Sequence, residues 1–332
     1  MPEKIIRLHS VRVPWGTVLE GIKSEAAGKV GLPPSALSHF RIARRSLDVR
    51  AAPRIFESYA VEFEGDASLI EAMPQNEAAV VEPAVFEQPR PGAEELCAPP
   101  VVIGAGPAGL FAALELSEAG YAPVVLERGK PVERREADVT ALVNAAVMNP
   151  DSNFLFGEGG AGAYSDGKLT TRTSDPRIAR VLEVLVECGA PETVLTEARP
   201  HIGSDLLPGV VANIRRRIES AGGVFRFGCR VERLATDESG RASGVAVAGG
   251  ETIPAGAVIL ASGNWADELL LSLFRQGVAM EAKPFQAGVR IEHRQEVIDR
   301  AVYRRGRGDL PPAEYITCLL YTSPSPRDRT RS

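Results

Sequence analysis

The chain has 332 residues, 44% hydrophobic and 24% charged, with a formal net charge of −5 at pH 7. That length supports about two domains with substantial cores, the composition excludes a largely disordered chain, and the negative balance does not indicate a general nucleic-acid footprint. No apolar run reaches the ~20 residues of a membrane span and no signal-peptide core opens the chain, so the cytoplasm is the expected location.

Residues 1–71 read as a small α+β module. Lys4–Val13 is strand-like, Val18, Leu19, Ile22, Ala26 and Val30 share a helical face, Phe40–Val49 reads as a strand, and Tyr59, Val61 and Phe63 alternate as a half-buried strand does. The basic cluster Arg41, Arg44, Arg45 and Arg50 has two readings, a nucleic-acid contact or a solvated face with Arg45 or Arg50 paired to Asp48, and the second is favoured. Residues 72–99, rich in proline, alanine and acids, read as a linker.

The stretch Val101–Gly129, VVIGAGPAGLFAALELSEAGYAPVVLERG, has the pattern of an apolar strand, a glycine turn, a helix and a second apolar strand ending in an acid. Gly104, Gly106 and Gly109 form G-x-G-x-x-G directly after the first strand, with Ala105, Pro107 and Ala108 between them. The first glycine permits a tight turn, the second lets backbone approach a pyrophosphate, and the third lets helix pack close on strand. The helix N-terminus offers free amides and a positive dipole end to the phosphates. Glu127, followed by Arg128, stands where an adenosine ribose is bound in such units. The context predicts dinucleotide binding.

Asn153–Thr173, NFLFGEGGAGAYSDGKLTTRT, is the second informative stretch. Gly157, Gly159, Gly160, Gly162 and Gly167 suit a backbone that approaches a ligand closely, and Lys168 adds a charge to any anion-binding nest. Pro176–Gly189 reads as a helix capped by Asp175, with Ile178, Val181, Leu182, Leu185 and Cys188 on one face, and about Leu207–Ala221 as another. Phe225–Leu234 and Gly244–Val247 read as strands, Ala257–Gly263 as an apolar parallel strand with a glycine stop, Ala266–Gln276 as a helix and Lys283–His293 as a strand. The scattered cysteines and histidines form no C-x-x-C or metal-ligand cluster, so no metal is predicted. No second strand–GxGxxG–helix unit follows Glu127, which fits a flavoprotein better than a simple nicotinamide dehydrogenase.

RRSLDVR (Arg44–Arg50), the Val101–Gly120 fingerprint, NFLFGEGGAGAYSDGKL (Asn153–Leu169), ARPHIGSDLL (Ala198–Leu207) and KPFQAGVRIEH (Lys283–His293) carry a family resemblance over roughly residues 3–316. The sequence resembles the bacterial FAD-dependent proteins labelled "NAD(FAD)-utilising dehydrogenases", within the glutathione-reductase-like flavoprotein superfamily. The resemblance implies an α/β chain: a Rossmann-like FAD-binding domain with an inserted or substrate domain, preceded by the small α+β module. The expected divisions are 1–71, a linker at 72–99, the FAD-binding domain at 100–278 and the start of a substrate-side domain at 279–317.

By the same resemblance, Gly104, Ala105, Gly106 and Gly109 would hold the pyrophosphate and Glu127 the ribose, with Pro107, Ala108 and Arg128 beside them. Gly159, Gly160, Ala161, Gly162 and Lys168 would approach the flavin side. Val231 would offer backbone to adenine, and Ala261 and Gly263 would form the stop near the cofactor. Gly263-Asn264-Trp265-Ala266 departs from the Gly-His-Ser-Ala of relatives, so no histidine role carries over there. Arg290 and His293 are candidate substrate-side groups. The expected activity is a FAD-dependent oxidoreductase with NAD(P)H as transient reductant and a small-molecule substrate. The alternatives are a flavin-dependent RNA modifier recruited by the basic module and a non-catalytic FAD sensor. Residues 318–332, including CLLYTSPSPRD, resemble a translated sequencing adapter, so a non-native tail after about Ile316 or Thr317 is expected.

Overall fold

A computed structural model of the chain describes residues 4–71, 73–74, 76–82, 90–165, 167–169, 171, 173, 175–282 and 291–315. The described residues fall into two compact units, Met1–Val81 with Pro284–Ser332, and Glu82–Lys283. No helix among them is long and apolar enough to cross a membrane.

In the first unit β1 (Lys4–Pro14), β2 (Ser38–Asp48), β3 (Phe56–Gly65) and β4 (Ala78–Val81) form an antiparallel sheet in the order β2-β3-β1-β4, with α1 (Leu19–Val30) between β1 and β2. Ile6 and Leu8 face the core on even positions. A register shift between Leu8 and Val11, with Ser10 at φ 61°, then moves the core face to Val11 and Val13. Tyr59, Val61 and Phe63 meet them from β3. In α1, Ile22, Ala26 and Ala27 are buried, whereas Val18 and Leu19 are 73% and 53% exposed, because the helix starts at Leu19 and Val18 is its extended N-cap. β4 lies inside the stretch read as linker. Four residues are too few to show alternation, and the flanking prolines and acids dominate the composition.

Three of the four arginines in the basic cluster are paired with acids of the same sheet. Arg41 donates to Glu62 at 2.7 Å, Arg45 to Glu57 at 2.7 Å and Arg50 to Asp48 at 2.9 Å, and all three acids are buried. Arg50 foremost, then Arg12, holds the Asp48 carboxyl well below the usual carboxylate range. A carboxylate with a depressed folded pKa adds stability that is full above its unfolded value near 4 and fades as pH falls through the folded one. Asp48→Asn is therefore expected to cost about 1–2 kcal/mol at pH 7 and visibly less at pH 3. Urea melts at both pH values check this, and an equal deficit at both would contradict the assignment.

The helix Gln295–Tyr303 and the segment after it also pack in this unit, placing Tyr303, Leu310 and Ala313 in one buried cluster with Ile55. Asp299 accepts from the Ala313 amide at 2.9 Å and Tyr303 donates to the Pro311 carbonyl at 2.8 Å. Trp15 Nε1 donates to Asp309 at 3.0 Å. The sequence reading placed these residues in a substrate-side domain. Residues 283–290, with Arg290, and the proposed tail lie outside the described residues.

The second unit is layered. β5 (Val101–Ile103), β6 (Val124–Glu127), β7 (Val224–Phe227) and β11 (Val258–Leu260) form a parallel sheet in the order β11-β5-β6-β7. Val102 and Val125 point to one face, where α2 (Pro107–Glu118), α4 (Arg177–Glu187) and α5 (Leu207–Ser220) pack. Val101, Ile103 and Leu126 point to the other, against an antiparallel sheet of β8 (Val231–Thr236), β9 (Ala242–Val247) and β10 (Thr252–Pro254) and against α6 (Asp267–Arg275). Burial on both faces is why β5 and β6 read as continuous apolar runs. Leu260 and Val224 are exceptions at 44% and 51% exposure, since β11 and β7 are the edge strands. α3 (Val132–Ala145) follows β6. The single strand expected over Phe225–Leu234 is two strands in two sheets, broken at Gly228 with φ 63°.

Candidate functional site: a cavity at the switch point of the parallel sheet

Chain order reverses at β5: the chain steps to β6 on one side and returns to β11 on the other. Such a reversal opens a crevice at the carboxyl ends of the strands. A cavity of about 490 Å³ lies there, a size typical of ligand sites. Gly104, Gly106, Pro107 and Ala108 line it after β5, Glu127 and Arg128 after β6, Val231 at the start of β8, and Ala261 and Gly263 after β11. Gly160 and Ala161 complete the set.

The glycine turns are fitted to backbone. Gly104 takes φ +101°, and a Cβ there would stand 2.5 Å from the Ala261 carbonyl oxygen. A Cβ on Gly109 would overlap the Gly104 carbonyl oxygen, so α2 sits as close to β5 as a glycine allows. Gly106 is the N-cap of α2 with Pro107 in the first turn, which aims the helix amides at the crevice. A Cβ on Gly106 would meet nothing nearer than the Gly160 Cα at 3.9 Å, so its absence leaves open space between the two glycine turns. This cradle, with helix amides on one side and a carboxylate on the other, fits the phosphate and ribose groups of a dinucleotide.

Glu127 is 5% exposed, and both its oxygens are engaged by backbone. Oε2 accepts from the Ala105 amide at 2.8 Å, and Oε1 from the amides of Gly129 at 2.8 Å and Gly157 at 3.0 Å. Because the Gly159 amide also donates to the Ala105 carbonyl at 2.9 Å, the first glycine turn and the second form one hydrogen-bonded unit. A carboxylate has about four acceptor positions, so Glu127 retains capacity toward the cavity it lines.

Ala105 and Gly109 stand behind the cavity wall, and Gly159, Gly162 and Lys168 do not line it either. Lys168 is exposed and its backbone bridges to His201. His293 belongs to the first unit, where Nδ1 and the Tyr315 hydroxyl are 2.8 Å apart.

Several residues at the cavity are not among the sequence-predicted site residues. Phe156 walls the cavity, and the Arg128 guanidinium lies 4.0 Å over its ring while donating to Asp151 at 2.7 Å. Arg230, Glu232 and Glu268 border the opening, and Trp265, 58% exposed, stands on its rim. Cys229 also lines the cavity; burial pushes its thiol pKa up, the mark of a structural rather than a reactive cysteine. Behind the second turn, buried Glu158 accepts from the Val132 amide at 2.8 Å and from Arg215 at 2.9 Å, and burial raises its pKa. Arg135 is fully buried beneath the same turn. Helical spacing carried a trace of it, because Val132, Arg135 and Val139 share the inward face of α3.

Residues 98–148 match a family described as "FAD binding domain" and residues 208–309 one described as "FAD dependent oxidoreductase". An uncharacterised protein of Clostridium beijerinckii is 38% identical over 296 residues, which is 89% of this chain and 55% of that protein. The chain thus spans about half the length of that relative. Among solved structures, Thermovibrio ammonificans THI4 aligns at 18% identity and TM-score 0.39 over 55% of this chain and 64% of that one. Glycine oxidase from Geobacillus kaustophilus aligns at 17% identity and TM-score 0.28 over 52% and 57%. With a parallel sheet reversing at β5, a glycine turn feeding α2 and the two sequence matches, the chain has a Rossmann-like FAD-binding fold.

Proposed function

We propose that this chain binds FAD in the β5–β11 crevice and forms the cofactor-holding part of a flavoprotein reductase or dehydrogenase that takes its electrons from NADH or NADPH and acts on a small substrate. The observation that carries the reading is the union of the two glycine turns through Glu127 and the Gly159–Ala105 hydrogen bond, at the floor of the cavity. The amides at the α2 N-terminus would meet the pyrophosphate, the remaining capacity of Glu127 the ribose, and the backbone of Val231 the adenine. Gly160, Ala161, Ala261 and Gly263 would border the flavin side. Flavin supplies the hydride and electron transfer, while the protein binds and orients it and keeps water from the buried side. A nicotinamide nucleotide as a passing reductant is favoured because the sequence carries one strand–G-x-G-x-x-G–helix unit, which FAD would occupy.

The RNA-modifier alternative is the weaker reading of the basic cluster, since three of its four arginines, Arg41, Arg45 and Arg50, are each paired with a buried acid. Titration of the protein with FAD is expected to quench flavin fluorescence to a stoichiometric end point. Anaerobic NADH or NADPH should then bleach the flavin absorbance. Uptake of FAD without bleaching by either donor would favour the sensor reading, and no uptake would defeat the proposal.

A further inference from the structure

Four backbone carbonyls converge on Arg135. Its Nε donates to Asn153 at 2.9 Å, and its Nη1 to Gly160 at 2.6 Å, Glu158 at 2.8 Å and Gly157 at 3.3 Å. Nη2 has no hydrogen-bond partner among the described residues. Holding a cation this deep is costly. Burial pulls the guanidinium pKa down, the Tyr164, Glu127 and Glu158 groups oppose that shift, and the Tyr164 ring lies 4.9 Å from the guanidinium carbon. A neutral side chain of similar length would fill the same space without that cost, so the gathered carbonyls are the reason for the charge.

A peptide group is planar and trans, so its C=O and the following N–H point opposite ways. Drawing the oxygens of Gly157, Glu158 and Gly160 toward Arg135 turns the amides of Glu158, Gly159 and Ala161 to the other side. Two of these are used within the protein: Glu158 donates to the Lys130 carbonyl at 3.1 Å and Gly159 to the Ala105 carbonyl at 2.9 Å. The third belongs to Ala161, which lines the cavity. The fit is close, since a Cβ on Gly157 would stand 2.5 Å from Arg135 Cδ.

We infer that Arg135 is a positioning residue for the pyrophosphate of the bound dinucleotide. It locks the 157–161 turn with its carbonyls inward, so that the cavity receives the amide side of the turn and an anion is met by donors rather than acceptors. The inference rests on the dinucleotide-binding reading above and deepens it, by giving the second glycine turn a share in phosphate recognition.

The test compares ADP with adenosine, which differ by the diphosphate. Calorimetric titrations of the full chain would be run for the native protein, Arg135→Met and Arg135→Lys. Native protein should prefer ADP. Arg135→Met should lose about 30-fold in ADP affinity and less than about 3-fold for adenosine, from the loss of charge-assisted hydrogen bonds that order only the phosphate-facing wall. Arg135→Lys keeps the charge but not the fork, and should lose about 10-fold for ADP. A purely structural role would weaken both ligands alike, and that result, or unchanged ADP affinity, overturns the inference. Should Arg135→Met fail to fold, the ADP-to-adenosine ratio of Arg135→Lys decides alone. Native protein that binds neither ligand overturns the dinucleotide reading and the inference with it, an outcome distinct from a ratio that does not change.

Discussion

Glu127→Ala is expected to lower the unfolding free energy by about 4 kcal/mol, because three backbone amides lose their acceptor at once and each buried orphan donor costs about 1–3 kcal/mol. The amides are those of Ala105, Gly129 and Gly157, and all three bonds are buried. FAD and ADP binding should vanish in the same variant even under conditions where it remains folded, since Glu127 ties the first glycine turn to the second. Glu127→Gln keeps one acceptor oxygen but turns an NH2 toward donors, so a loss of about 2–3 kcal/mol is expected. Chemical denaturation with parallel ADP titration checks both. A Glu127→Ala protein within about 1 kcal/mol of native stability, the net worth of a single hydrogen bond, and still binding ADP would show that the carboxylate does not hold the turns.

The second large effect is expected at Gly109, where two forces oppose each other. Alanine is favoured over glycine in a helix interior by about 1 kcal/mol. At Gly109, however, the added methyl would overlap the Gly104 carbonyl oxygen and stand 3.0 Å from its carbon, both of them backbone atoms of the cofactor turn. Overpacking of this kind costs about 3 kcal/mol or more, so the clash outweighs the propensity. Gly109→Ala should be destabilised by about 2 kcal/mol net and should lose ADP binding, because α2 can relieve the clash only by drawing its N-terminus away from β5. Gly28 in α1 is the matching control. A Cβ there meets nothing within 4 Å, so Gly28→Ala should gain about 0.5–1 kcal/mol. Thermal melts of the two variants should therefore move in opposite directions; a stabilised Gly109→Ala protein would refute the close-packing account.

The comparison of sequence with structure divides along the kind of signal involved. Val101–Glu127 was legible because each residue type there answers a local demand: β-branched runs for a strand covered on both sides, glycine for φ +101° at position 104, and an acid at a strand end. The side chains of the cavity wall were less legible, because Phe156, Arg230 and Trp265 reach it from three separate segments and the signals beside them were glycines and backbone positions rather than these side chains. Arg135 was lost among the charges of Glu133–Asp138, where composition reads as a solvated face and only the spacing from Val132 to Val139 marks it as inward.

The contact between Trp15 and Asp309 spans 294 positions of chain, and the buried cluster of Ile55 with Tyr303, Leu310 and Ala313 spans nearly as many. In a polypeptide made from its N-terminus, the Ile55 side of that cluster emerges long before its partners, and the whole 82–283 unit is synthesised in the interval. This first unit is thus begun well before the residues that complete it are made. Its sheet must stand on local pairing until translation reaches the helix at Gln295–Tyr303, and a ribosome-bound chain halted before that point carries Ile55 without the cover it has in the mature fold.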